Sequence, residues 1–430
     1  MRPTGMTILN PIEVALLMSD LTHITRTLCY HVLVFAAALL LSACAQSDQR
    51  TRDPFEPTTL PQFELRELFE VGRNSEPLLN EVTAAAFLDS PEIAVASNEG
   101  EILVFEIEGE FLRRLGRSGE GPGEFRFIQD IVGLDDNRVL AWDPALDRVT
   151  VFERDGRLDF TCTPLRALSR QAGVSFVGAF PDGRFVLEER PLPPTEENNT
   201  ARMVSDTIPY LMFDRSGALV RTIGEFVRPP RYYDARTGYQ QYLFDSSVRS
   251  AIVAGELYVG ENNLIVLQRF DSTGTLLTTL ALEREPRPVT ELDIEAGWRA
   301  WAERIVVQQG QMFAQAAASL GERTAAEMQR GADEAVARAK ENIEPAEFLP
   351  AYKSMLVGGD LALWLEDYLH PTEDNTRWFL MGSDFQPTGW IELPPNERLL
   401  AAGPSELIVL RKDELDVESV VVYRGEWSRQ

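Results

Sequence analysis

The sequence predicts an all-β fold, a six-bladed β-propeller that an N-terminal strand closes and that carries an α-helical insertion between blades 4 and 5. Three observations lead to this prediction. A turn motif recurs along the chain, short strands flank each copy, and one alanine-rich, proline-free segment interrupts the pattern. Repeating units of about 40–50 residues with four short strands each are typical of propeller blades.

The recurring motif is Phe-x-x-x-Gly, which ends one strand and starts the next. Glycine tolerates the positive φ that a tight β-hairpin turn needs, so each copy predicts a hairpin. Another strand with its own turn precedes each hairpin. The copies are FEIEG (105–109), FERDG (152–156), FDRSG (213–217), FDSTG (270–274) and FQPTG (385–389).

The last unit, residues 405–427, reaches the end of the chain before its outermost strand. A strand-like segment with no unit of its own, FELRELFEVG (63–72), resembles the outermost strand of the first unit. We therefore expect this strand to complete the sixth blade, which removes the sheet edges that an open array would expose. The propeller is expected over residues 63–427.

The segment at about 291–343 breaks the β pattern with strong helix formers. Its apolar spacing predicts two helices, at about 291–319 and 322–342. Trp298 and Trp301 lie on the apolar side of the first helix. They either pack against blades 4 and 5 or belong to a lid over the central channel or a docking face for a partner.

Residues 120–152 resemble a single NHL repeat, and the match is degenerate in the other units. The resemblance implies a six-bladed propeller, glycines that make the crossing between blades, and an Asp and an Arg that form a bond within a blade. It also implies an exported bacterial lipoprotein with no assigned substrate. The matching residues are Gly119, Gly121, Gly123 and Phe125 at the opening, and Asp143, Arg148, Val149, Val151 and Phe152 at the close.

The glycine-rich segment LGRSGEGPGEF (115–125) does not match a phosphate-binding loop. A Walker loop ends in Gly-Lys-Ser/Thr, and a dinucleotide fingerprint opens a helix with G-x-G-x-x-G. Here the glycines alternate, no lysine follows, and the next segment is strand-like. The segment therefore predicts a connection between two blades.

Residues 1–43 are predicted to be a lipoprotein signal peptide. The apolar run at 32–41 is too short to span a bilayer, and LSAC (41–44) resembles a lipobox, in which Cys44 is acylated and becomes the N-terminus. Residues 44–62 then form a polar tether. Ala45, in place of Asp, favours the outer membrane, so the prediction is a lipid-anchored protein of the cell envelope on the periplasmic or outer-membrane side. An ordinary secretory signal, which leaves the chain soluble, is the alternative.

Composition restricts the range of functions. The net charge of -26 repels nucleic acid and anionic lipid, so no nucleic-acid partner is predicted and the membrane is reached through the lipid. Beyond residue 43 the only cysteines and histidine are Cys44, Cys162 and His370, which excludes zinc sites with several such ligands. Cys162 is expected to be buried and His370 to lie on the surface.

No cofactor or metal ligand is predicted from the remaining polar segments. Residues 194–200 and 372–375 offer carboxylates and amides, and Ca²⁺ binds such oxygens. Neither segment has the spacing or the glycine of an EF-hand, so calcium is unsupported.

A basic, aromatic segment, RPPRYYDARTGYQQY (228–242), is the predicted binding loop. Tyrosine and arginine are enriched at binding hot spots. Packing of the loop on its own blade is the alternative. The candidate binding residues are Arg228, Arg231, Tyr232, Tyr233, Arg236, Tyr239 and Tyr242.

The function predicted is a non-enzymatic, membrane-tethered scaffold for a protein or small-molecule ligand. No catalytic residue is assigned. The alternative is a divalent-metal-dependent hydrolase or lyase of the lactonase kind, with Asp, Glu or Asn at the channel mouth. Three such oxygens converging on the channel axis would favour the enzyme.

Overall fold

The structure is a computed structural model that describes residues 53–426 except 74–76, 89–90, 165–172, 191–201, 235–237, 241–242, 245–246, 254, 283, 321–324, 342, 359–361 and 371–372. Only the backbone is described at 190, 202–206, 228–234, 238–240, 253, 307–320, 325 and 357. The described chain forms antiparallel sheets, two α-helices and two short 3₁₀ helices, Pro57–Thr59 and Asp135–Asn137.

Six antiparallel sheets form the six predicted blades, and each blade is described from its innermost strand outwards. Blade 1 holds β2 (Val82–Phe87), β3 (Glu92–Ser97), β4 (Glu101–Glu106) and β5 (Phe111–Leu115); blade 2 holds β6 (Asp130–Gly133), β7 (Val139–Asp143), β8 (Arg148–Phe152) and β9 (Leu158–Cys162). Blade 3 holds β10 (Gly173–Ala179), β11 (Phe185–Arg190), β12 (Arg202–Phe213), β13 (Leu219–Asp234) and β14 (Gly238–Gln240).

The remaining three blades repeat the four-stranded plan. Blade 4 holds β15 (Val248–Val253), β16 (Glu256–Glu261), β17 (Ile265–Phe270) and β18 (Leu276–Leu282); blade 5 holds β19 (Ser354–Val357), β20 (Leu363–Glu366), β21 (Thr376–Met381) and β22 (Pro387–Leu393). Blade 6 holds β23 (Glu397–Ala402), β24 (Glu406–Lys412), β25 (Glu418–Gly425) and, outermost, β1 (Leu65–Val71).

The N-terminal strand is paired with the last strand of the chain. β1 runs antiparallel to β25, from Leu65 opposite Gly425 to Val71 opposite Val420. The six innermost strands contact one another in the cyclic order β2, β6, β10, β15, β19 and β23. The sixth sheet therefore contains both ends of the propeller.

Strand direction gives the propeller two distinct faces. Because neighbouring strands are antiparallel, the connections between blades and the turns between second and third strands all lie on one face. The two α-helices, α1 (Glu291–Leu320) and α2 (Ala325–Lys340), lie between β18 and β19 and so leave from this side. We call it the helical face, and the side with the Phe-x-x-x-Gly turns the opposite face.

The repeated turns have the predicted geometry in four blades. Gly109, Gly156, Gly217 and Gly274 have φ between 77° and 92°. In blade 5 the register of the motif was predicted wrongly, since the turn spans 382–386, where Phe385 N–H bonds to Gly382 O. Met381 ends the strand there, and Phe385 takes the positive φ, 63°.

The hydrophobic core lies between the blades, as the alternation of the strands requires. At the boundary of blades 2 and 3, Trp142 of β7 stacks on Phe176 of β10 with ring centroids 6.2 Å apart. At the boundary of blades 4 and 5, Tyr352 and Phe379 belong to one buried cluster. Phe55, ahead of β1, is buried in the same cluster.

Residues 53–64, which we call the arm, lie along blade 5. The N–H of Phe63 donates to Trp390 O (2.8 Å), and the N–H of Trp390 donates to Pro61 O (3.1 Å). The sequence places residues 53–62 in a polar tether. In the structure this part of the predicted tether is held by the propeller, because Phe55 fills a gap between blades 4 and 5.

Candidate functional site

Two segments that depart from the blade repeat project from the helical face. Among the described residues, β12 pairs with β11 at 210–213, and residues 202–209 continue beyond the blade, paired with β13. At about 3.4 Å per residue, this extension reaches roughly 25 Å. We call residues 202–209, 225–234 and 238–240 the ribbon.

The predicted binding loop is part of this ribbon. Where the structure describes it, the segment is β-strand rather than loop. The register of β12 and β13 passes from Val204–Arg231 to Asp206–Arg228, which skips Pro229 and Pro230. Arg228, Arg231, Tyr232 and Tyr233 lie in β13 and Tyr239 in β14. The side chains of these five, and all of Arg236 and Tyr242, lie outside the described residues.

The ribbon continues directly into a contact with the helices. Leu243 and Phe244, which follow β14, are buried in one cluster with Trp298 and Trp301 of α1. A Cβ atom at Gly297 would lie 3.0 Å from Leu243 Cδ2 and 3.1 Å from Phe244 Cζ. The absence of a side chain at Gly297 therefore permits the close approach between α1 and the residues that follow the ribbon.

The helices also pack on each other and on blade 5. Ala332, Ala335 and Ala339 of α2 are buried in the same cluster as the two tryptophans, and Tyr368 of the β20–β21 turn borders it. The tryptophans thus contact α2 and the crossing between blades 3 and 4. The helical insertion therefore packs on the crossing between blades 3 and 4 and on blade 5.

His370 is oriented by a buried carboxylate. Its Nδ1 lies 2.7 Å from Asp293 Oδ1, and the Asp293 side chain is 1% exposed. Asp293 also accepts hydrogen bonds from the backbone N–H and the hydroxyl of Thr290, the residue immediately before α1. Burial raises the pKa of Asp293, but the bonds from Thr290 and His370 outweigh it and the pKa lies below its usual value. His370 lies at the surface, as predicted, and nothing in the sequence indicates its partner.

Three arginines surround Asp367 next to this pair. Asp367 Oδ1 lies 2.9 Å from Arg284 Nη2 and 3.1 Å from Arg287 Nη1, and Asp367 Oδ2 lies 3.2 Å from Arg377 Nη1. Burial and the adjacent Arg284 lower the pKa of Arg287. Asp53 of the arm approaches Arg284 at 3.8 Å. The group joins the arm, the base of the helical insertion and blade 5.

The glycine-rich loop between blades 1 and 2 binds its own carboxylate. The N–H of Gly121 donates to Glu124 Oε2 (2.8 Å), and Arg117 bonds to Glu124 Oε1. These bonds lower the pKa of Glu124. The loop therefore connects two blades, as the alternating glycines predict, and its donors are directed at a side chain of the loop.

Asp143 and Arg148 hold that loop in place. Asp143 Oδ2 accepts the N–H of Arg126 (2.8 Å), and Arg148 donates to the carbonyl oxygens of Glu120 and Glu124. The sequence predicted a bond within the blade between Asp143 and Arg148. Among the described contacts, these two side chains do not bond to each other. Each instead ties the blade to the preceding connection.

A cavity of about 300 Å³ opens on the helical face between blades 6, 1 and 2. Glu418 lies in its wall, accepts the N–H of Val82 (2.6 Å) and pairs with Lys412 (3.0 Å). Glu81, at the rim, has a φ of 48°, a conformation that L-residues seldom adopt. The wall carries both signs of charge, which suits a polar ligand better than an apolar one.

Asp130 begins the innermost strand of blade 2, and burial raises the pKa of its carboxyl to about 6. Its described hydrogen bond comes from the N–H of Ile131 (2.8 Å). Cys162 is buried, as expected, and burial raises the pKa of its thiol to about 12.

The described residues contain no group of three His, Cys, Asp or Glu side chains placed to hold a metal ion. Residues 194–200 lie outside the described residues, as does Cys44. No helix among the described residues is both long and apolar enough to cross a membrane.

The sequence profile of the DUF5128 family, described as a 6-bladed beta-propeller, matches residues 74–165. This stretch holds blades 1 and 2. No curated protein sequence matches the chain.

Several solved structures align with this one at low identity. A Bacteroides fragilis protein thought to be exported aligns over 89% of this chain and 98% of its own, with 12% identity and a TM-score of 0.46. A DUF4221 family member from Bacteroides vulgatus aligns over 86% and 99%, with 12% identity and a TM-score of 0.48. Virginiamycin B lyase of Staphylococcus aureus aligns over 84% and 99%, with 10% identity and a TM-score of 0.38. Together, the strand pairing and the family profile establish a six-bladed β-propeller.

Proposed function

We propose that the protein is a lipid-anchored propeller of the cell envelope that binds a protein or small-molecule ligand through its helical face and performs no catalysis. The observation that carries the proposal is the contact of Leu243 and Phe244 with α1. It joins the arginine- and tyrosine-rich ribbon to the helical insertion, two segments that lie far apart in the sequence. Large insertions that meet on one face of a rigid scaffold are typical of binding surfaces.

The anchor is proposed from the signal peptide, 1–43, and the lipobox cysteine, Cys44. Two or more acyl chains give stable membrane attachment, whereas one does not. Mass spectrometry of the membrane fraction should find diacylglycerol and an acylated amine on Cys44. Ala45 suits the outer membrane, and Ala45→Asp should move the protein to the inner membrane. An unmodified Cys44 in the membrane fraction would contradict the anchor.

Binding is tested by photo-crosslinking in intact cells. A photoreactive residue at Tyr232 or Tyr233 of the ribbon should give a discrete adduct, and Arg231→Ala should weaken it. Leu276, half exposed at the start of β18 on the opposite face, is the matched control position. Equal adducts at both faces would argue against the ribbon as the binding site. So would an adduct at one of Tyr232 and Tyr233 that survives when Arg231 and the other tyrosine of this pair are replaced by alanine.

A further inference from the structure

The arm leaves the propeller on the helical face. Asp53, its first described residue, lies 3.8 Å from Arg284, between β18 and α1. Two residues later Phe55 is buried, with its ring centroid 5.1 Å from that of Phe379. The Arg284 guanidinium lies over the Phe55 ring at 5.1 Å and bonds to Ala351 O. The start of the arm is thus fixed beside the base of the helical insertion.

We propose that the helical face is turned towards the membrane that carries Cys44, and that the lipid surface is what this face meets. The inference rests on the proposed anchor. Nine residues, 44–52, precede Asp53, and a fully extended chain of that length spans at most about 30 Å. Strands of six or seven residues place the opposite face roughly 20 Å farther away. A short tether that starts at the helical face brings that face nearest to the bilayer.

The composition of the segment that contains the ribbon fits a lipid surface. The sequence segment 228–242, which includes the ribbon residues 228–234 and 238–240, contains three arginines and four tyrosines with a single acid, and arginine and tyrosine favour the membrane interface. The remainder of the chain is strongly acidic, so zwitterionic lipid is the expected surface. The ligand site would then lie in the gap between propeller and bilayer, which selects ligands present at the membrane.

The lysines provide a natural test of this orientation. The sequence contains only three, Lys340, Lys353 and Lys412. Lys340 ends α2, Lys353 precedes β19 and Lys412 ends β24, so all three lie on the helical face. Arg157→Lys adds one lysine to the opposite face with no change of charge, at a side chain that is 79% exposed.

The experiment uses the chain from residue 44, which contains every described element, with Arg157→Lys. Cys44 is coupled to maleimide lipid in phosphatidylcholine vesicles; Cys162 is buried with a raised pKa and does not compete. A second lipid carries an amine-reactive headgroup, and adducts are mapped by mass spectrometry. A soluble amine-reactive ester applied to parallel samples gives the intrinsic reactivity of each lysine.

The ratio of lipid-borne to soluble labelling should be several-fold higher at the three native lysines than at the introduced one. A Gly/Ser spacer of about thirty residues after Ser47, which reaches roughly 30 Å on average and far more when extended, should remove the difference. Equal ratios without the spacer, or a higher ratio at the introduced lysine, would overturn the orientation. Because the anchor is attached chemically, this outcome is independent of whether cells acylate Cys44.

Discussion

Arg154 of blade 2 donates a hydrogen bond to Glu92 of blade 1, with Nη2 and Oε1 3.1 Å apart. Arg154 lies in a Phe-x-x-x-Gly turn, and Arg215, at the equivalent position in blade 3, bonds to Asp159 of blade 2 at 2.6 Å. On the opposite face, this turn therefore links its blade to the preceding one. Arg113 of blade 1 completes the group at 2.6 Å from Glu92.

Glu92→Gln should destabilise the propeller. The Glu92 side chain is buried, and the change leaves Arg113 and Arg154 without their counter-charge, which costs about 1–3 kcal/mol. Urea denaturation at neutral pH measures the difference. Asp155→Asn, in the same turn and exposed, is the control and should leave the midpoint unchanged. Equal midpoints for all three proteins would show that the link between blades contributes nothing.

Asp130→Asn should stabilise the protein at neutral pH. The pKa of Asp130 is raised to about 6, above its unfolded value. Between about pH 4 and 6 the native state therefore keeps a proton that the unfolded state has lost, and at neutral pH the native state must bury an ionised carboxylate. The free energy of unfolding therefore falls by up to about 3 kcal/mol as the pH rises from about 4 to 6. The variant should lack this fall, and the two urea curves should coincide below about pH 4. A variant that is less stable at neutral pH would mean that the Asp130 carboxylate has a stabilising partner.

Asn262→Ala should be strongly destabilising. Asn262 is fully buried in the β16–β17 turn; its Oδ1 accepts the N–H of Ser247 (2.6 Å), and its Nδ2 donates to Tyr352 O (2.9 Å). Loss of both bonds, with the backbone groups left buried, should cost about 2–4 kcal/mol. Asn263→Ala, one residue later and exposed, is the control for thermal unfolding. Similar melting temperatures for the two variants would contradict this role.

Asp293→Asn should lower stability at neutral pH by about 1 kcal/mol, because a carboxylate at a helix N-terminus stabilises the helix. The pKa of Asp293 is lowered, so its contribution is present above the unfolded value of about 4 and is lost as pH falls through the folded pKa. The variant and the natural protein should therefore converge in acid. Glu295→Gln, exposed two residues later, should show a smaller effect at neutral pH; an equal effect would mean that burial and His370 add nothing.

Local patterns predicted most of the architecture. Hairpin turns with glycine at a fixed position depend on neighbouring residues alone, so the blades could be counted from the sequence. The helical insertion, predicted at about 291–319 and 322–342, has helices at Glu291–Leu320 and Ala325–Lys340. In blade 5 the pattern misled, because Phe385 occupies the position that glycine takes elsewhere and a chance Phe-x-x-x-Gly follows it.

Contacts between distant segments could not be predicted. Phe55 is one aromatic residue in a polar, proline-containing segment, and nothing local shows that a gap between blades receives it. His370 and Asp293 lie 77 residues apart, and Asn262 is an amide in an ordinary turn sequence. Residues 228–242 were predicted to form a loop, whereas β13 continues through Pro229 and Pro230 because the strand pairing skips both.

The pairing of β1 with β25 also sets the order in which the protein can mature. The first strand of the propeller finds its partner only after residues 418–425 have been synthesised, so the earliest segment must wait for the last. Contacts of such long sequence separation make folding slow. Until β1 pairs with β25, β1 and the incomplete sixth sheet both present free edges. A nascent chain is most exposed to aggregation in that interval. Loss of the last strand alone would extend this vulnerable state to the finished protein.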